Sequence, residues 1–370
     1  MLAICKSIDL GFVGGCTPAW WQLFEAMNHL GVEFVVAPMA GKAVRSLWWS
    51  EQENPLLSLD RFYEHLPALG ISACERLLKG HILDVWKRHI DRIIEREKGI
   101  SVVVLFGIWL NRIEGLAKYI RSKYNLPIFI YEADLPTYLY GNSRGFFDRV
   151  DISQYDGIIL NSEGVITKLR ELGFSNLFVV DFGADPNLFN FNESKQDIDV
   201  GFYGYGLFNR REAIKYLMIE PSKALPQFSF RVQVNENMDL GLVKYDSPNE
   251  EKKDLVLTSI KPFCNRSKIN LNITRESFAK TYASSTARLF ELASMECCIV
   301  SNPVYGLEKW FKPNAEIFVA RDSKEAVELY NWLISSNKVR RKVGEAARNR
   351  VLKEHTYSHR AKEFIEILSH

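Results

Sequence analysis

The chain has 370 residues, more than one hydrophobic core usually serves, so two domains are expected. Its composition is 47% hydrophobic and 25% charged with no low-complexity tract, which excludes disordered and fibrous classes. Lys and Arg number 47 against 45 Asp and Glu, a net of +2, which argues against nucleic acid as a partner.

In chain order, short β-branched runs alternate with amphipathic segments. The first half offers strands at 2–8, 33–38, 101–107, 127–132, 157–161 and 177–181, with helical patterns at 81–98, 111–124 and 163–173 between several of them. Continuous apolar strands separated by helices predict βαβ units and a parallel sheet covered on both faces. The alternation restarts after a polar stretch with strands at 198–204, 228–234, 268–273, 297–301 and 316–320. The expected organisation is therefore an α/β chain of two Rossmann-like domains: residues 1–182, a linker at 183–197, and residues 198–355. Residues 356–370 form a C-terminal helix that packs back on the first domain. Two further helices at 323–336 and 338–354 precede it, the first capped by Asp322 or Ser323.

None of the six cysteines form a CxxC pair, so they read as buried hydrophobes in a reducing compartment. The N-terminus lacks the pattern of a secretion signal, and no run approaches the roughly 20 apolar residues of a membrane span. A cytoplasmic location is expected, with peripheral membrane contact left open.

Ligands of open α/β sheets bind outside the carboxyl ends of the strands, so the cleft between two such domains is where chemistry is expected. The stretch "YASSTARLFELAS" starts a helix that Ser284, Ser285 or Thr286 can cap, and its free N–H groups form an anion site. Arg288 and Glu291, spaced i, i+3, share a face opposite the stripe of Leu289, Leu292 and Ala293. They suit a nucleotide diphosphate, the carboxylate accepting from ribose hydroxyls. A solvated ion pair on a helix surface accounts for the same spacing.

In "DVGFYGYGLFNRR", Gly204 and Gly206 allow close backbone approach, and Arg210 or Arg211 can pair with phosphate. In "INLNITR", Asn272 and Arg275 beyond a strand end suit the base or phosphates. "IFIYEADLP" ends a first-domain strand with Glu132 and Asp134 facing the cleft, where a carboxylate acts as base or holds sugar hydroxyls; a loop-capping aspartate before Pro136 fits as well. Gly14 and Gly15 after the first strand would let backbone N–H groups meet donor phosphate or acceptor. Trp48 and Trp49 in "RSLWW" are placed at the border of the acceptor site.

Two patterns point to metal only superficially. The "DID" at Asp197–Asp199 precedes a strand instead of ending one, and His355 and His359 lack the helix-borne carboxylate of an HExxH site. No metal is expected.

The run "STARLFELASMECCIVSNPVYGLEKWF", followed by "EIFVARDSKEAVELYNWL" and "RRKVGEAARNRVLKEHTYSHR", resembles the C-terminal half of the CgeB-like (spore maturation protein) glycosyltransferases, relatives of the group 1 transferases in the GT-B class. Upstream, "YEADLP", "YDGIILNSEGVITKLRELGF", "FGADPNLF" and "DVGFYG" extend the likeness to roughly residues 127–362. The resemblance implies a GT-B fold, with the acceptor bound by the first domain and the nucleotide sugar by the second, and a hexosyl transfer from a nucleotide-diphosphate sugar, a UDP-sugar being the expected donor, to a hydroxyl of a glycan, lipid-linked sugar, protein or small molecule. It implies that Glu291 holds the donor ribose. It departs from the group 1 pattern at Ala283, where many members carry a second glutamate. No cofactor is expected. Asp134 is the candidate catalytic base. A nucleotide-sugar binding protein without activity, or a sugar-nucleotide epimerase of similar architecture, would share the donor features.

Overall fold

The computed structural model describes residues 1–6, 19–39, 46, 49–59, 68–108, 110–140, 146–147, 150–205, 207–234, 239–246 and 257–369. The first unit runs β1 (Leu2–Cys5), α1 (Ala19–His29), β2 (Val35–Pro38), β3 (Ser50–Glu51), α2 (Ala68–Arg96), β4 (Val103–Phe106), α3 (Leu116–Tyr124), β5 (Ile128–Glu132), α4 (Leu135–Tyr140), β6 (Gly157–Leu160), α5 (Ile166–Glu171) and β7 (Leu177–Val179). Its strands form one parallel sheet in the order β3-β2-β1-β4-β5-β6-β7. The second unit runs β8 (Ile198–Gly204), α6 (Arg211–Ile214), a π-helical turn (Lys215–Ile219), α7 (Glu220–Ala224), β9 (Phe230–Val234), β10 (Lys244–Tyr245), α8 (Leu257–Arg266), β11 (Ser267–Asn272), α9 (Glu276–Ala279), α10 (Ala287–Ser294), β12 (Ile299–Ser301), β13 (Phe318–Val319), α11 (Ser323–Ser335), α12 (Asn337–Glu354) and α13 (Tyr357–Leu368). Its sheet is again parallel, ordered β10-β9-β8-β11-β12-β13.

Both sheets reverse strand order beside their first strand, which opens a crevice at the carboxyl ends of β1 and β4 and of β8 and β11. Burial explains the strand composition. Every residue of β1, β2, β4, β5 and β6 is buried, because helices cover both faces and leave no room for alternating polar residues.

The units touch at those carboxyl ends. Beyond β6, the Asn161 Nδ2 donates to the Ser285 carbonyl at 3.0 Å, and the Ser285 N–H donates back to the Asn161 carbonyl at 3.0 Å. Ser162 bridges Ser284 in antiparallel fashion, and Lys309 pairs with Glu163. Helix α13 then crosses to the first unit and packs on α1, with Phe364 stacked 5.8 Å from Phe106. The two chain crossings lie side by side, since the Ala184 N–H donates to the His355 carbonyl and the Tyr357 N–H to the Ala184 carbonyl, each at 3.1 Å. Within the 183–197 stretch, Ala184 and Phe189 are buried in the core of the second unit.

Several details differ from expectation. The helix expected over 81–98 belongs to a 29-residue helix beginning at Ala68. Trp49 is no acceptor-site residue: it is buried against Trp21, Phe24 and Phe34, while Trp48 lies outside the described residues. As expected, Asp322 caps α11, its carboxylate accepting the Glu325 N–H at 2.9 Å.

Candidate active site

The second sheet supplies the densest cluster. Gly204 ends β8, and a Cβ there would fall well inside contact distance of the Arg288 Nη2, so only glycine lets the guanidinium lie over the strand end. The Arg288 side chain stacks on the rings of Phe202 and Tyr203, at 5.1 and 5.2 Å, and its Nη1 donates to the Ile273 carbonyl at 3.1 Å. That carbonyl also accepts from the Arg210 Nε at 2.8 Å, and the Arg210 Nη1 reaches the Tyr205 carbonyl. Two guanidinium groups therefore converge on one backbone oxygen just past the carboxyl end of β11. The Arg288 Nε is buried without a partner.

One turn along α10 stands Glu291. It is not the solvated surface residue that its spacing also allowed. Leu289 through Ser294 are all buried, and Glu291 itself is only 6% exposed. Its Oε2 accepts from the Tyr203 hydroxyl at 3.0 Å. Burial pushes the carboxyl up to about 7, against the pull of Tyr203, the Arg288 charge and Gln22. Gln22 reaches over from α1 in the first unit. Its Oε1 accepts the Asp185 N–H at 2.9 Å, and its buried Nε2 has no partner in hydrogen-bonding geometry.

A cavity of about 450 Å³ opens beside Arg210. Residues following β8, β11 and β12 line it, among them Arg210, Arg211, Thr274, Glu276, Lys280 and Tyr305. This is the topological switch point of the second sheet.

Across the interface, Asp134 follows β5 and precedes α4. Its carboxylate pairs with Arg275, which lies beyond β11 and stacks on Phe278 at 4.5 Å. Arg275 is thus held by a first-unit carboxylate instead of standing free for phosphate. Beneath Asp134, Glu132 is buried. Its Oε1 accepts the Asp134 N–H at 2.8 Å, and its Oε2 has no partner. Burial, and next the Asp134 charge, push its carboxyl up to about 8.

The remaining expected site residues fall elsewhere. Asn272 is the last residue of β11, wholly buried, with its Nδ2 on the Ser301 Oγ at 2.9 Å and the Thr274 Oγ1 at 3.2 Å, while its Oδ1 has no partner. Ser285 is buried, its Oγ accepting the Phe182 N–H at 3.0 Å and donating to the Asn161 carbonyl at 3.3 Å, so the hydroxyl serves the interface between units and not a phosphate. Thr286 occupies the N-cap position of α10, yet its hydroxyl makes no capping bond. Arg211 is exposed beside the Phe208 ring and lines the cavity. Gly14, Gly15 and Gly206 lie outside the described residues.

Asp197 and Asp199 sit at the start of β8, the end away from the cavity. Asp197 is held bidentately by Arg266 at 2.8 and 2.9 Å, and Asp199 by Lys268 at 2.7 Å. His355 receives the Arg360 Nη2 at 2.6 Å and is driven down to about 4 by burial, while His359 completes the capping box of α13. Among the described residues no group of three or more His, Cys, Asp or Glu side chains could hold a metal ion, and no helix is long and apolar enough to cross a membrane.

Two contributors escaped sequence reasoning. Tyr203, between Phe202 and Gly204 at a strand end, carried a visible signal as the aromatic beside the required glycine. Gln22 carried none, because only the fold brings α1 to α10.

Residues 210–366 match the glycosyl transferase-like family, a span that contains the whole β11–α10–β12 region. No curated protein sequence matches the chain. Among solved structures, a sucrose-phosphate synthase from Thermosynechococcus elongatus superposes with a TM-score of 0.69 at 13% identity, covering 100% of this chain and 98% of that one. HepE from Anabaena, in complex with UDP and glucose, gives 0.65 at 13% identity over 100% and 99%. The E. coli trehalose-6-phosphate structure bound with UDP-2-fluoro glucose gives 0.64 at 10% identity over 99% and 98%. At these identities the likeness concerns the fold: the chain has the GT-B architecture of two Rossmann-like domains.

Proposed function

We propose that the protein is a glycosyltransferase of the group 1, CgeB-like kind. It moves a hexosyl group from a nucleotide-diphosphate sugar, with UDP as the expected nucleotide, to a hydroxyl acceptor and needs no metal ion. The observation that carries this reading is the convergence of Arg210 and Arg288 on the Ile273 carbonyl, one helical turn from the buried Glu291. Two adjacent cations at a strand-end crevice match a diphosphate, and a carboxylate next to them matches a ribose diol. The family match over 210–366 and the UDP complexes of the structural relatives support it.

In the reaction the acceptor oxygen bonds to the anomeric carbon while the bond from that carbon to the diphosphate breaks, its electron pair leaving on the phosphate oxygen. Arg210 and Arg288 stabilise the charge developing there, the role a metal ion plays in other designs. The acceptor proton goes to Asp134 in an inverting reaction, or to the leaving phosphate in a retaining one. Closing the cleft excludes water from the anomeric carbon.

The test is a panel of UDP-glucose, UDP-N-acetylglucosamine, UDP and GDP-mannose, scored by thermal shift and then by released nucleotide in EDTA, with and without hydroxyl acceptors. We expect a UDP compound to raise Tm and nucleotide release to depend on acceptor. A chain stabilised by none of these compounds overturns the UDP-sugar reading. Binding without release points to the non-catalytic module, and turnover restored only by Mg²⁺ or Mn²⁺ overturns metal independence.

A further inference from the structure

Trp49, first suspected of meeting sugar, is in the core, but other aromatic residues stand exposed beside the cavity. Tyr305 is 62% exposed and lines the cavity; Tyr282 is 38% exposed, its ring centroid 4.9 Å from that of Tyr305 in an edge-on arrangement.

Backbone hydrogen bonds hold the chain beneath these rings. The Tyr305 N–H donates to the Ala279 carbonyl at 2.9 Å, and the Tyr305 carbonyl accepts from Ala283 at 2.9 Å. The Tyr282 carbonyl accepts from Gly164 of the first unit at 2.9 Å. Gly306, at φ +84°, leaves no space for a Cβ, which would lie 2.8 Å from the Ala283 N and 2.9 Å from the Tyr282 ring. Ala283 itself is held at φ +44°, a left-handed conformation uncommon for alanine. Strain of this kind persists where surrounding structure over-determines it, and it clusters at binding sites. A rigid, strained turn that offers two rings to solvent is a platform, since folding alone would favour burying them.

We propose that Tyr305 and Tyr282 form a stacking subsite for a saccharide acceptor, the apolar face of its ring lying on Tyr305. The inference rests on the glycosyltransferase reading and narrows its acceptor class from any hydroxyl compound to a sugar. The chemistry around the platform favours this occupant. The cavity beside Tyr305 is mostly apolar, and Glu276 and Lys280, paired with each other, add exposed polar groups at its edge, a mixture that suits a ligand with one apolar face and several hydroxyls. The platform also joins the two units, where an acceptor must sit to face a donor held by the second.

The experiment uses the full chain with UDP present, and reads saccharide binding by saturation-transfer NMR with methyl β-glucoside, methyl α-galactoside and maltose. UDP affinity is measured in parallel by calorimetry. Tyr305→Ala should weaken the bound sugar at least tenfold, Tyr305→Phe should retain it, and UDP affinity should move less than threefold in both. Tyr282→Ala should give an intermediate loss. Sugar binding unchanged in Tyr305→Ala overturns the subsite, as does a parallel fall in UDP affinity, which would give the rings to the donor base. A wild type that binds UDP but none of the three sugars also overturns it. A wild type that binds no UDP sinks the glycosyltransferase reading instead.

Discussion

Asp134 and Arg275 form an ion pair that ties the carboxyl end of β5 to that of β11 across the interface between the two sheets. Thr137 and Ser277 stand 3.4 Å apart beside it, so α4 and α9 close on each other at the same point. The pair is partly exposed, with side chains 43% and 27% accessible, and its net contribution to stability is therefore about 0–1 kcal/mol. A contact this weak is easily exchanged for a substrate contact.

If Asp134 takes the acceptor proton, Asp134→Asn should lower kcat by roughly 10²–10⁴ with donor affinity nearly unchanged. Arg275→Ala should cost far less, because it removes only the partner. Steady-state kinetics on both variants, beside the product anomer from NMR, separate the roles. Equal losses in the two variants would reduce the pair to a closing contact. Wild-type kcat and KM in Asp134→Asn would remove the residue from the site.

Gly204 and Arg288 give a second test. An alanine at 204 drives its Cβ into the guanidinium and displaces it from the Ile273 carbonyl. UDP binding should weaken by about 10–100-fold, the order expected for losing a charged hydrogen-bond donor, while uridine, which has no phosphate, should bind as before. Arg288→Ala should reproduce the effect. Equal losses for UDP and uridine in calorimetry would mean that the substitution has damaged the fold, and no loss for either would take Arg288 away from the phosphates.

How far the sequence reaches follows from what each residue depends on. The buried runs of β4 and β11 and the capped start of α11 are local patterns, legible without a fold. So was Gly204, because glycine at a strand end is itself a statement about approach. Glu291 was legible as a candidate, but its surroundings were not: the spacing that joins Arg288 to Glu291 is the same on a solvated helix, and only packing of α10 on every side separates the two. Ser285 and Asn272 failed for the same reason. A polar residue at an element's edge reads as available until long-range partners such as Asn161 and Ser301 take its hydrogen bonds. The Asp134–Arg275 pair, 141 positions apart, leaves no trace in spacing at all.

Glu132 makes a prediction about stability. Its carboxyl is raised to about 8 from an ordinary value of 4.5, so the folded state holds the proton more tightly than the unfolded one. The sign follows: its contribution is fully present below about pH 4.5 and is lost as pH rises through about 8, by on the order of 3–5 kcal/mol. Glu132→Gln removes that loss. The melting temperature of the variant should gain on wild type between about pH 5 and 8 and level off above that. Parallel curves would show that Glu132 is ionised in the fold.

Glu291 predicts a pH dependence of binding. Its carboxyl is raised to about 7 by burial, so near neutrality about half of the free protein carries a proton there. A ribose diol donates two hydrogen bonds, and an ionised carboxylate accepts both, whereas a protonated one must use an oxygen as donor. UDP should therefore select the ionised form and release the proton. Because the complex then binds fewer protons than the free protein, affinity must rise with pH through the window of about 6–8 and level off above it. Below that window it should fall by up to tenfold per pH unit. UDP ionises its own terminal phosphate in a similar range, so the comparison that counts is with Glu291→Gln. The variant should bind UDP about 1–3 kcal/mol more weakly at pH 8 and keep only the shallower slope that belongs to the nucleotide. Calorimetry in buffers of different ionisation enthalpy reads the proton directly: wild type should release about half a proton more than the variant at pH 7. Identical slopes and identical proton release in the two proteins would separate Glu291 from the ribose, leaving its buried carboxyl as a partner of Tyr203 alone.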